Sequence, residues 1–335
     1  MPNGFAHPSR FKLALLVIGL VPCLTSPAAN SQTVPTQPSA LTAAESMHWQ
    51  QDLAAWRTQR EKEISAPDGW LSLAGLEWLK SGINSVGSAA DNQIRLPSSA
   101  PEHLGLLTVS GMVSSEDPSI ISIVQLLSPA GGFPHDLTTD GKPAREGALA
   151  VEDTKPSIIA WHGLAMVILK RGNRFVLRIK DANSAERASF HGLNWFAPDP
   201  SYRVVARWVP FKPPQIEEIP TVIGTTLKLP APGLAMFMIN NQVLRLEPVL
   251  EDPAGKTLFF ILRDETSKTS TYGGGRFLHT GLPDHGLDQP GSLVLDFNQL
   301  ENPPCAYTTF ATCPLPPQQN QLGVALPAGE QRYQR

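Results

Sequence analysis

Proline and glycine punctuation governs what this chain can build: 32 prolines and 26 glycines are spread through 335 residues. Proline lacks a backbone N–H and clashes with the preceding helical turn, while glycine favours turns, so short strands are expected rather than long helices. The 41% hydrophobic and 17% charged content suits a globular chain with room for two modest domains or one large β domain. A formal net charge of −3 supplies no basic face, so neither nucleic acid nor anionic lipid is an expected partner.

The first residues have the form of an export signal. Arg10 and Lys12 precede the apolar run "LALLVIGLV" at 13–21, which is too short to span a bilayer. Cleavage after "SPAA" makes residues 1–29 a signal peptide, 30–41 a polar leader, and the protein periplasmic or extracellular. A lipoprotein anchored at Cys23 is the rival reading, and it is weakened because Pro22 stands where a small residue is normally needed. No integral span is expected in the mature chain. Loss of the signal leaves two cysteines, Cys305 and Cys313, in a compartment that permits disulfides.

One helix is expected, over 42–66. Thr42 and Glu45 form a capping box, Trp49, Leu53 and Trp56 recur on one face, and Pro67 ends it. The charged run 57–63 reads as a solvated face. From Gly69 onward the apolar period becomes two. "WLSLAGLEWL", "GINSVGSAADNQIRLP", "LGLLTVSGMV" and "SIISIVQLL" read as strands of a small sandwich-like module over 67–156. A larger antiparallel barrel or sandwich module is expected over 157–335. Its clearest hairpins are "LAMVILKRGNRFVLRIKD", turning at "RGN", and "MINNQVL", turning at Asn240-Asn241. The expected fold is mostly β, with an N-terminal helix and two such modules. Strands and helices do not alternate, so a parallel α/β sheet is not expected.

The stretches "DGWLSLAGLEWLKSGINSVGS", "LKRGNRFVLRIKD", "YRVVARW", "TYGGGRFL" and "DFNQLENPPCAYTTFATCPLPPQQNQL" occur in this order. Together they resemble the bacterial family catalogued as domain of unknown function 1684, from about residue 49 to 330. The resemblance implies no established biochemical role. Gln299, Leu300 and Glu301 stand where the family usually has a basic-Ala-Tyr stretch, and Gln321 stands where arginine is common. The first module is also similar, more weakly, to the opening of a forkhead-associated sandwich. Ser88 stands after Gly87 where that fold's phosphate-binding arginine would be, and His103 has Ala100 three residues before it rather than serine. A phosphopeptide site is therefore not expected.

The chemistry-bearing residues converge on few places. The C-x7-C spacing of Cys305 and Cys313 matches neither a zinc knuckle nor a catalytic redox motif, and the histidines are scattered, so no metal or cofactor is expected. A disulfide closing this nine-residue loop between stiff proline flanks would contribute about 2–3 kcal/mol, and packed thiols are the alternative. Tyr272, Gly274, Gly275 and Arg276 could present backbone N–H groups and a guanidinium to an anion, or could form a glycine bulge with a paired arginine. Asp296, Asn298 and Asn302 could line the same place. Arg178 and Arg203 face away from apolar neighbours, onto either a wet sheet face or a pocket for a small anionic ligand. No catalytic residue is assigned. Three readings of function stand open: a non-catalytic small-ligand-binding or envelope protein, a hydrolase around Arg276 and Asp296, and a structural or interaction module. Nothing in the residues specifies an oligomeric state.

Overall fold

The computed structural model describes residues 42–111, 123–151, 155–172, 174–252 and 254–334. The stretches expected to be a signal and a leader, with Cys23, and Asn173 of the expected hairpin turn lie outside the described residues. Helix α1 (Ala43–Ser65) begins with the expected capping box: Thr42 Oγ1 accepts from Glu45 N–H at 3.3 Å, and Glu45 accepts from Thr42 N–H at 2.9 Å. The strands follow in chain order as β1 (Leu73–Trp78), β2 (Gly82–Gly87), β3 (Ile94–Arg95), β4 (Gly105–Ser110), β5 (Ile123–Leu127), β6 (Thr138–Thr139), β7 (Lys142–Pro143), β8 (Gly147–Leu149), β9 (Ile158–Trp161), β10 (Leu164–Arg171) and β11 (Arg174–Asp181). After the short helix α2 (Ala185–Ala188) come β12 (Arg203–Pro220), β13 (Thr226–Ile239), β14 (Gln242–Leu246), β15 (Leu258–Leu262), β16 (Arg276–Thr280) and β17 (Gly291–Asp296).

The fold is mostly β and sandwich-like; among the described residues no sheet closes into a barrel. A six-stranded sheet has the order β1-β11-β10-β9-β6-β7, and a five-stranded sheet the order β3-β2-β4-β5-β8. Leu107, Val124 and Leu126 from the second sheet cluster with Met166, Ile168, Leu177 and Ile179 from the first. Burying such side chains contributes roughly 1.5–3 kcal/mol each. The long β12–β13 ribbon joins β14 and β17 in a four-stranded sheet, and β15–β16 form a separate pair. Ala206, Trp208, Phe237, Phe260 and Leu295 build the second core, to which Leu322, Val324 and Leu326 of the C-terminal segment also belong. A third cluster joins Leu73 of β1 to Ile219, Phe259, Phe277 and Cys313.

Both expected hairpins are present. Asn240 and Asn241 take φ of 51° and 61°, the positive values a tight two-residue hairpin needs, between β13 and β14. Arg171 pairs with Arg174 across the β10–β11 turn. On β11, Leu177 and Ile179 point into the first core, which leaves Arg178 on the opposite side of the strand.

The charged run on α1 corrects the expectation of a solvated face. Arg60 is only 9% exposed, and Arg57 Nη2 donates to the Phe196 carbonyl at 3.0 Å. Glu61 accepts from Leu193 N–H at 3.0 Å and from Trp195 Nε1 at 3.3 Å. The apolar stripe of Trp49, Leu53 and Ile64 docks on the body of the protein and carries these charges in with it.

Candidate functional site

Arg276, the residue expected to hold an anion, points inward. It is 1% exposed, and its Nη2 donates to Asp264 Oδ2 at 2.8 Å and to the Leu326 carbonyl at 2.9 Å. Its Nη1 donates to the carbonyls of Ala328 and Glu330. Burial pulls the guanidinium pKa down and Asp264 opposes that pull. The preceding glycines form a tight turn in which Gly275 N–H donates to the Tyr272 carbonyl at 3.1 Å. Gly275 has φ +96°, and a Cβ there would stand 2.5 Å from Pro316 Cγ and 2.6 Å from the Leu262 carbonyl oxygen. Gly274 is pressed against the Tyr272 ring, whose hydroxyl donates to the Cys305 carbonyl at 3.3 Å. The arginine is thus paired, and the glycines form a turn ahead of β16 rather than a bulge within a strand.

Asp296 does not meet Arg276. Its Oδ2 accepts from Trp49 Nε1 at 2.6 Å, which pins α1 to the end of β17. Its Oδ1 accepts from the backbone N–H and the side-chain amide of Asn298 at 3.0 and 2.9 Å. Asn298 in turn brackets the backbone of Asp199. Asn302 donates its N–H and its amide to the two carboxylate oxygens of Glu330 at 3.0 and 2.9 Å. Glu330 is fully buried, also accepts from the Tyr307 hydroxyl, and has Arg60 Nε at 3.8 Å. Burial drives its carboxyl up to about 7, against the pull of Arg60, Tyr307 and Asn302. The motif "DFNQLENPP" thus ties chain segments together through short polar side chains. Arg203, 4.0 Å from Asp296, shares with it and Trp49 a cavity of about 380 Å³.

A different cavity, of about 330 Å³, gathers the charges. One wall comes from the six-stranded sheet: Arg178 of β11, Arg171 at the end of β10, and Trp70 in the turn before β1. The Arg178 guanidinium lies 5.8 Å from the Trp70 ring centre, and Arg171 Nε donates to Thr312 Oγ1 at 3.2 Å. The other wall comes from β15 and β16. Phe259 and His279 are register partners, and their rings stack at 4.6 Å with planes 8° apart. His279 lies 3.7 Å from Glu251 and 3.6 Å from Glu301. Burial alone would disfavour its protonation, but the two carboxylates outweigh burial and raise its pKa to about 9. Arg60 reaches in from α1, with Nη1 3.2 Å from Glu301 and Nη2 donating to the Asn302 carbonyl at 2.8 Å. The stretch 311–314 completes the lining.

Of the residues expected at a site, Arg178 and Cys313 line this cavity. Arg60, Trp70, Glu251, His279 and Glu301 escaped the sequence reading. Arg60 carried a usable signal: positions 49, 53, 56, 60 and 64 form one helical stripe, so Arg60 lies on the buried face. Glu251 and His279 carried none, because their meeting depends on the partner of β15.

Cys305 N–H donates to Cys313 Sγ at 3.1 Å, and the structure has both residues as thiols. Hydrogen bonding with the Cys305 side chain, and then burial, push the Cys313 thiol far above its ordinary range, while the Cys305 backbone N–H pulls it the other way. Among the described residues no group of three or more His, Cys, Asp or Glu side chains is arranged to hold a metal. No described helix is long and apolar enough to cross a membrane.

Comparison with known proteins adds a family but no activity. The model of a family described as protein of unknown function (DUF1684) matches residues 188–331. The solution NMR structure of an uncharacterized protein from Haloarcula marismortui is 33% identical over 43% of this chain and 78% of that one, with a TM-score of 0.37. No curated protein matches. The matched segment contains Glu251, Phe259, His279, Glu301 and Cys313, whereas Arg60, Trp70, Arg171 and Arg178 come from outside it.

Proposed function

We propose that this chain, whose residues 188–331 match the model of a family of unknown function (DUF1684), is a non-catalytic binding protein for a small anionic ligand held in the 330 Å³ cavity. The observation that carries the reading is the set of cationic side chains gathered on the walls of one cavity beside aromatic rings. Arg60, Arg171, Arg178 and the imidazolium of His279 face Glu251 and Glu301. Guanidinium groups suit carboxylate and phosphate oxygens through paired, charge-assisted hydrogen bonds. Trp70, Phe259 and Phe277 supply apolar area for the rest of a small molecule.

The same groups speak against hydrolysis at this place. A catalytic base must be able to take up a proton, and His279 is already protonated at neutral pH between two carboxylates. A thiol nucleophile must ionise, and burial beside Cys305 keeps Cys313 protonated. Asp296 is engaged as a cap by Trp49 and Asn298. We also propose, from the apolar run at 13–21, that the protein is exported, and that Cys305 and Cys313 bridge in that compartment.

The test is a thermal-shift and calorimetric titration of the full chain with succinate, benzoate, phosphoenolpyruvate and inorganic phosphate. At least one should raise the melting point, since a ligand at 100 times its Kd adds about 2.7 kcal/mol. Arg171→Gln and Arg178→Gln should each weaken binding by about 10- to 100-fold, the worth of one charged hydrogen bond. A protein indifferent to every anion, or unimpaired binding in both variants, would refute the reading.

A further inference from the structure

Resting on that reading, we propose that Cys305 and Cys313 form a redox-responsive pair whose bridging fixes the wall of the cavity and strengthens anion binding. The first ground is proximity. Cys305 N–H donates directly to Cys313 Sγ at 3.1 Å, which brings that sulfur within one side-chain length of Cys305. The second is anchoring. On one side the Cys305 carbonyl accepts from the Tyr272 hydroxyl, and Pro304–Ala306 form a 3-10 turn. On the other, the Cys313 carbonyl accepts from Val222 N–H at 3.0 Å, and Pro314 pairs with Thr221. A bond between the sulfurs would therefore join two backbone stretches already held side by side.

The third ground is position. Cys313 lines the cavity, and its neighbour Thr312 holds the Arg171 guanidinium. With two thiols, Cys305 and Cys313 are tied by non-covalent contacts such as the N–H···S bond. With a bridge, the segment bearing Thr312 is covalently fixed, so less ordering remains for the ligand to impose. The oxidant is a small-molecule disulfide. The half-buried Cys305 attacks it as thiolate, forms a mixed disulfide and releases one thiol. With Cys305 held in the mixed disulfide, its free thiol no longer opposes ionisation of Cys313, which gives up its proton and displaces the second thiol. Two protein thiols and one disulfide give one protein disulfide and two small thiols, with both electrons passing to the leaving sulfurs and both protons released with them.

The experiment compares the full chain reduced with dithiothreitol and oxidised with glutathione disulfide. Alkylation followed by mass measurement reads the bridge, and titration with succinate and inorganic phosphate reads the cavity. The expected result is loss of both alkylation sites on oxidation and binding that is about 3- to 10-fold tighter. Cys305→Ser should bind like the reduced protein and ignore the oxidant. Persistent alkylation after oxidation, or equal affinity in bridged and reduced protein, overturns the coupling. Bridging with no anion bound in either state refutes the binding function, and the coupling falls with it.

Discussion

Arg276 is a charge placed where almost no water reaches it, and its partners decide its role. Asp264 and three carbonyls of the C-terminal segment surround the guanidinium, so it holds that segment against β16. Truncating one member of a buried ion pair strands the other, at a cost of about 3–5 kcal/mol. Arg276→Ala should lose that much stability in urea unfolding; a loss below about 1 kcal/mol would show that the pair is not structural. His279 behaves differently, because its ring is partly exposed and its charge titrates in an accessible range. Its folded-state pKa lies above its ordinary 6.5, at about 9. The stabilisation is therefore complete below pH 6.5 and is lost as pH rises through 9. The urea midpoint of His279→Gln, relative to the parent, should be lowest below pH 6.5 and recover toward it by pH 10. Parallel midpoints across that span would contradict the assignment.

Among the elements, α1 works as a clamp more than as a surface helix. Its start is fixed locally by the Thr42–Glu45 box, and Thr42→Ala should cost about 1 kcal/mol, read as a lower thermal midpoint. Its middle is fixed at long range by Trp49 Nε1 on Asp296. Trp49→Phe keeps most of the apolar bulk but removes a donor from a carboxylate that is only 8% exposed. A further loss of about 1–3 kcal/mol is expected, with faster hydrogen exchange along the helix. Unchanged exchange in α1 would mean that the indole bond does not hold it. The strands show the complementary case. The alternation around Arg178 was readable from "FVLRIK", whereas the cavity it faces required β15, β16 and the cysteine loop to be brought opposite.

Across the whole molecule, Leu73 from the six-stranded sheet packs in one cluster with Ile219, Phe259, Phe277 and Cys313 from the later strands. The two larger cores therefore share a buried seam beside the cavity. Urea unfolding followed by tryptophan fluorescence and by far-UV circular dichroism should give coincident transitions. Leu73→Ala should shift both midpoints together, by the equivalent of about 2–5 kcal/mol. Separated transitions would show that the seam does not couple the cores.

By itself the sequence determined the capped helix, the strand-rich architecture, the Asn240-Asn241 hairpin and the faces of the β11 residues. These follow from backbone constraints and from periods of 3.6 and 2, which act within a few residues. It also marked the "DFNQLENPPCAYTTFATCPLPP" segment as unusual without distinguishing caps from ligands. Tertiary structure alone decided that Arg276 is internal, that Asp296 holds an indole, and that Arg60 meets Glu301 while His279 meets Glu251. Those outcomes depend on which distant elements dock together. A charged side chain that reads as solvated in its own helix becomes part of a site when the apolar stripe beside it carries it inside.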